Sequence, residues 1–320
     1  MRTTTHSPIL PAPAPVPAWQ ATPIALPAAD GYPLRGFAWR HPLPDAKRPL
    51  VIINAATSVR CRYYNRFADW LYRHGFDVLI YDYRGIGESR QGSLRGFTAS
   101  WADWGALDFE GVLQYAATQF QGQPVHVVGH SIGGFVIGLA PSNHLIARIF
   151  TMGAQYACWH DYAQAHRWRM YLKWHVFMPL LTALYGYFPG KRLGWLEDTP
   201  RGVVWDWTRR NKRPGRPWLR ISNSAPGAPN PLRQFDAVTA PILAVGISDD
   251  EFGTVAAIDR LLARFRSSAG THLRIAPAAV GEAQIGHFAF FHSRFERSLW
   301  PLALHWLQSG EVRDVVHPGH

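Results

Sequence analysis

The sequence predicts an α/β protein: a mostly parallel sheet with helices on both faces and one helical insertion. Three observations predict it. From residue 22 onward, short apolar runs of strand length alternate with amphipathic runs of helix length, the signature of strand–helix–strand units. The 320 residues are 47% hydrophobic and 17% charged, enough apolar material for a sizeable core and the wrong composition for a disordered chain. The alternation breaks once, between about residues 151 and 238. There Trp159, Trp168, Trp174, Trp195, Trp205, Trp207 and Trp218 crowd into a partly helical stretch without strand periodicity.

Taken in order, Thr22–Leu26 and Leu34–Trp39 flank the Asp30-Gly31 turn and read as an antiparallel hairpin. Leu50–Asn54 and Asp77–Tyr81 are continuous apolar runs, as strands buried on both faces should be. Between them Arg62–His74 places Tyr63, Phe67, Trp70 and Leu71 on one helical side. Trp101–Ala117 repeats apolar residues at helical spacing behind a Ser100/Asp103 capping box. Val125–Val128 is a strand, Ile132 opens a helix, and Ala147–Met152 is a further strand. After the aromatic block come strand Pro241–Val245, helix Val255–Arg266, strand Leu273–Ile275 and helix Phe290–Leu307. The expected organisation is an arm at 1–20, a core at 21–150 and 239–310, a helical insertion at 151–238 and a tail at 311–320.

Composition also excludes. Cys61 and Cys158 are the only cysteines, too few for a disulfide scaffold and without a Cys/His metal-ligand pattern. Neither a metal nor an organic cofactor is expected. The arm alternates proline with small residues and lacks the continuous apolar region of a signal peptide, and no segment is long and apolar enough to span a bilayer. A cytoplasmic location is the expectation. The net charge of +11 favours acidic partners or anionic membrane surfaces. The six basic residues between Arg209 and Arg220 sharpen that second expectation. No nucleic-acid-binding module surrounds them, so nucleic acid is not an expected partner.

Chemistry concentrates at Val125-His126-Val127-Val128-Gly129-His130-Ser131-Ile132-Gly133-Gly134. A strand runs into Gly-x-Ser-x-Gly and then into a helix. Such a turn crowds the backbone around the serine and projects its hydroxyl at the strand's carboxyl end. Asp82-Tyr83-Arg84-Gly85-Ile86-Gly87-Glu88-Ser89 follows another strand, and Gly286-His287-Phe288 precedes the last helix. Together these segments resemble the α/β-hydrolase superfamily over about residues 22–308, most closely its serine-aminopeptidase-like and monoglyceride-lipase-like branch. The resemblance implies an eight-stranded, mostly parallel sheet with a helical cap at 151–238. It also implies a Ser, acid, His order for a catalytic triad.

On that order Ser131 is the expected nucleophile and His287 the base. Asp250 is the expected acid, because Thr254 stands where relatives of this kind often carry a proline four positions after it. Asp249 and Asp161 are the alternatives. Oxyanion donors are expected from the backbone N–H of Ile132 and, after strand Leu50–Asn54, of Ala56 or else Thr57. The usual His-Gly pair of that loop is replaced by Asn54-Ala55. Trp159, Trp174 and Phe177 are candidates for an apolar acyl or aryl pocket. The activity implied is hydrolysis of a small-molecule ester, less readily an amide or peptide, through an acyl-enzyme. Two other classes carry the same residues: acyl transfer to an alcohol or thiol, and a non-catalytic basic protein that binds a membrane or partner.

Overall fold

The computed structural model describes residues 21–209, 221–222 and 230–312. The arm at 1–20, nearly all of the basic run and residues 313–320 lie outside the described residues.

Eight strands form one sheet in the order β1-β2-β4-β3-β5-β6-β7-β8. They are β1 Thr22–Pro27, β2 Pro33–Trp39, β3 Leu50–Asn54, β4 Asp77–Tyr81, β5 Val125–His130, β6 Ile146–Met152, β7 Ile242–Ile247 and β8 Gly270–Ile275. The β1–β2 and β2–β4 pairs are antiparallel and the rest parallel. Every residue of β3, β4 and β5 is buried, as the apolar runs of β3 and β4 require for central strands covered on both faces, and β5 buries His126 and His130 with them. The edge strand β8 buries only Ile275.

Strand order reverses at β3: the chain moves outward to β4, then returns to lay β5 on the other side. Such a switch point opens a crevice at the carboxyl ends of the two central strands. Asn54 and Gly129 face each other there in register, so the loops leaving β3 and β5 are neighbours.

Helices pack on both faces. They are α1 Asn65–Arg73, α2 Trp101–Asp103, α3 Glu110–Gln119, α4 Ile132–Ile137, α5 Arg167–Tyr171, α6 Met178–Tyr185, α7 Arg201–Arg209, α8 Val255–Leu262 and α9 Trp300–Ser309. Ser100 caps α2 through a complete box, its Oγ accepting from the Asp103 amide at 3.1 Å while Asp103 Oδ2 accepts from the Ser100 amide at 2.8 Å. A π-helical turn at Trp104–Phe109 joins α2 to α3, and another at Leu172–Phe177 joins α5 to α6. Arg84 ties the Asp82–Ser89 turn to the rest of the fold. Its guanidinium donates to Asp108 at 2.6 Å and to Asp30 at 2.7 and 2.8 Å.

The last helix differs from expectation. Instead of running from Phe290, the chain makes two 3₁₀ turns at Ala289–Phe291 and Ser293–Phe295, and α9 begins only at Trp300. Pro301 favours the break: it has no N–H to give and its ring clashes with a preceding turn, so it is best accommodated in the first turn, where α9 places it. Consequently His292 has extended rather than helical backbone, at φ −75° and ψ 141°.

Candidate active site

The site is assembled from the carboxyl ends of β3, β5, β6 and β7 and the loop before α9. Ser131 lies between β5 and α4 with φ 55° and ψ −120°, a left-handed conformation that costs a non-glycine residue of order 1 kcal/mol. Its surroundings hold it there. The Ser131 amide donates to the Met152 carbonyl at 3.0 Å, and a Cβ on Gly133 would lie 2.2 Å from the Asn54 carbonyl oxygen. The helix can therefore start this close to β3 only with glycine at that position.

His287 and Asp250 meet at 2.7 Å, Nδ1 to Oδ2, both almost fully buried. The other Asp250 oxygen accepts from the Phe252 and Gly253 amides at 2.8 and 2.9 Å. Burial pushes the Asp250 carboxyl up, but the His287 charge, its hydrogen bond and those two amides outweigh burial and hold the carboxyl below the usual range. Gly153, directly after β6, presses on the pair: a Cβ there would lie 2.9 Å from Asp250 Oδ2 and 3.0 Å from His287 Nδ1.

The alternative acids are engaged elsewhere. Asp249 accepts from the Ile285 and Gly286 amides, each at 2.9 Å, and so holds the loop that carries His287. Asp161 is clamped by Arg260 at 2.5 and 2.9 Å. The two thiols are buried. Burial, followed by the neighbouring Asp82, pushes the Cys61 thiol far above its ordinary pKa, so it stays protonated.

Ser131 and His287 open into one cavity of about 350 Å³, which Ile132, Ala56 and Thr57 also line. The Ile132 amide is the first of its helix and has no partner within it. Ala56 departs from expectation: its amide donates to Tyr64 Oη at 2.9 Å. The Thr57 amide is the one of this loop pair without a hydrogen-bond partner among the described residues, which moves the second oxyanion candidate from Ala56 to Thr57.

Tyr64 and His130 are missing from the sequence reading and form a buried relay. The His287 carbonyl can only accept, so His130 Nε2 carries the proton it donates at 2.9 Å. His130 Nδ1 then accepts from Tyr64 Oη at 2.8 Å, and Tyr64 Oη accepts from the Ala56 amide. The relay joins the loop after β3, the elbow and the His287 loop. Burial, with His287 adding to it, pushes His130 down to about 3 and keeps its ring neutral.

Of the aromatic candidates, Trp174 lines the cavity, whereas Trp159 and Phe177 do not. Trp159 stacks in a separate cluster with His160, Trp168 and Tyr171, and Phe177 is exposed. The walls are instead built by Trp101, Trp195, Trp207 and Phe252 alongside Trp174.

Residues 45–182 match the family model described as serine aminopeptidase, S33. No curated protein matches the chain in sequence. Among solved structures, an esterase of Pyrococcus furiosus aligns over 91% of this chain and 91% of its own, at 14% identity and a TM-score of 0.56. Est1E from Butyrivibrio proteoclasticus, solved with ferulic acid bound, aligns over 89% of this chain and 98% of its own, at 15% identity and a TM-score of 0.54. The esterase domain of a Rhodothermus marinus protein aligns over 89% of this chain and 98% of its own, at 15% identity and a TM-score of 0.51.

Proposed function

We propose that this chain, which has the α/β-hydrolase fold, is a serine hydrolase that cleaves a carboxylic ester, with Ser131, Asp250 and His287 as its triad. The observation that carries the reading is the strained Ser131 at the β5–α4 elbow, opening into the same cavity as a histidine held by a buried aspartate at 2.7 Å. Backbone strain is maintained only where the surroundings enforce it, and it accumulates at functional positions. Ester chemistry is also what the names of the Pyrococcus and Rhodothermus neighbours describe.

In this reading Ser131 Oγ adds to the ester carbonyl while its proton passes to His287 Nε2. The Ile132 and Thr57 amides hold the resulting oxyanion. Collapse breaks the C–O bond, and His287 returns the proton to the departing alcohol. Water then attacks the acyl-enzyme carbonyl, giving a proton to His287. The second collapse releases the acid and reprotonates Ser131. Asp250 fixes the ring tautomer and stabilises the imidazolium throughout. Asp250→Asn is expected to lower kcat on p-nitrophenyl esters by roughly 10³- to 10⁴-fold with the fold retained. Turnover within tenfold of wild type would contradict this role.

Residues 151–238 act as a cap in this reading, since Trp174, Trp195 and Trp207 close the cavity above a floor from the core. The outer side of the α5–α6 run supports peripheral contact with an anionic membrane. Trp168, Leu172, Val176, Leu180 and Leu184 recur every fourth residue and are 46–72% exposed. Residues 162–196 contain Arg167, Arg169, Lys173, Lys191 and Arg192 but no acid. An apolar row among cations suits the surface of an anionic bilayer, and no described helix is long and apolar enough to cross one. Co-sedimentation with phosphatidylcholine vesicles is expected to rise when phosphatidylglycerol is included. It is expected to fall about tenfold or more in a Leu180→Glu/Leu184→Glu variant. Binding unchanged by both manipulations would contradict the contact.

A further inference from the structure

We propose that the ester accepted by this cavity carries an anionic group, a carboxylate in its simplest form, held by Lys173 with Gln155 as a second polar contact. This rests on the hydrolase reading and names the substrate class within it. Among the described residues that line the cavity, Lys173 and His287 are the titratable ones, and none is a carboxylate. The wall around them is aromatic.

Lys173 is held for such a role. Its ammonium sits 4.1 Å from the Trp195 ring centroid and 4.6 Å from that of Trp174, and both indoles line the cavity. Two aromatic faces fix the cation electrostatically without neutralising it. Among the described residues it makes no ion pair. Glu251, the one carboxylate with a resolved influence on it, is taken by Arg169 at 2.5 Å. Burial and then the Arg169 charge depress the Lys173 pKa, as expected of an ammonium short of counter-charge.

Gln155 is the independent observation. It lines the same cavity and is 4% exposed, yet its Oε1 has no hydrogen-bond partner. A buried amide left unsatisfied is costly. Its Nε2, which makes no hydrogen bond to a described residue and is not among the fully buried atoms, is the donor it can offer a ligand carboxylate. A neutral alkyl ester would leave both groups unmatched in an aromatic enclosure, whereas an anionic one satisfies both.

The test compares kcat/KM for matched esters. One pair places the charge on the acyl part: the p-nitrophenyl monoester of adipic acid against p-nitrophenyl hexanoate. The other places it on the leaving group: 4-acetoxybenzoate against 4-acetoxybenzamide. In at least one pair the anionic-to-neutral ratio is expected to fall roughly tenfold or more in Lys173→Met, mainly through KM, and to be kept in Lys173→Arg. The pair that responds identifies which side of the ester bears the charge. Equal ratios in wild type and Lys173→Met for both pairs would overturn the inference while leaving ester hydrolysis standing. Absence of turnover of every ester by a folded protein would instead count against the hydrolase reading. The anion site is then read directly by tryptophan fluorescence during titration with adipate. Saturation lost in Lys173→Met supports the inference, and no response in wild type overturns it.

Discussion

Replacement of Ser131 by alanine is expected to lower ester turnover by roughly 10⁴- to 10⁶-fold, with the cavity and fold unchanged. The magnitude follows from the arrangement. In the proposed mechanism His287, Asp250 and the amides act on a bond that only Ser131 forms, so without it they would retain nothing but weak water-based catalysis. Alanine keeps the Cβ and therefore keeps the strain of φ 55°. Ser131→Gly separates the two effects, because glycine adopts that conformation freely. It is expected to be as inactive as the alanine variant and more stable than wild type by about 1 kcal/mol, read as a higher urea midpoint. A glycine variant no more stable than alanine would mean that the elbow is not strained.

Acid is expected to destabilise the protein from about pH 6.5 downward. Three histidines are buried in neutral form: burial pushes His130 down to about 3, and His126 and His175 to about 4 each. A histidine in an unfolded chain has a pKa of about 6.5. The folded values lie below it, so the unfolded state binds more protons as the pH falls under about 6.5. Stability is complete above that point and declines towards pH 4, each histidine adding a slope of up to about 1.4 kcal/mol per pH unit. Three together amount to up to about 4 kcal/mol per unit. The Asp108 carboxyl, which burial pushes up to about 7, offsets up to about 1.4 kcal/mol of that by binding a proton in the folded state over the same interval. The remaining roughly 2.7 kcal/mol per unit stands against a typical total of about 5–15 kcal/mol. Protonated His130 would also carry a second N–H on Nδ1, reversing its hydrogen bond with Tyr64 so that the hydroxyl accepts from both His130 and the Ala56 amide. Urea midpoints between pH 7.5 and 4.5 check the slope. His126→Leu, which removes a ring whose buried Nδ1 has no partner, is expected to reduce the slope by up to about 1.4 kcal/mol per pH unit. Stability flat from pH 7 to 5 would contradict the account.

The central strands β3 and β4 were legible because burial on both faces leaves short, continuous apolar runs of strand length, bounded by turn residues. The elbow was legible because steric crowding restricts which residues fit it. Pro301 is a local sign that the last helix starts late, although Pro179 lies inside the continuous helical run 167–185, so proline alone does not decide the boundary. What stayed hidden depends on contacts between distant segments. Asp249 and Asp250 are adjacent and chemically identical. They are separated only by what the fold brings to each: loop amides to one, an imidazole to the other. Tyr64, His130 and His287 are far apart in the chain, and the one local sign was a histidine closing a buried strand beside Ser131. Between β6 and β7, apolar residues surround the helical run, so periodicity does not tell Trp174, turned inward, from Phe177, turned outward. The π-helical turn at Leu172–Phe177 compounds this by shifting the helical phase within the run.

The central claim is an activated serine at position 131. Its most direct test is labelling with a fluorophosphonate probe, read by intact mass on wild type, Ser131→Ala and His287→Ala. The account predicts one adduct per wild-type chain and none on Ser131→Ala, with labelling of His287→Ala slowed by roughly 10³-fold or more. An adduct that persists on Ser131→Ala, or a folded wild type that takes none, would contradict it.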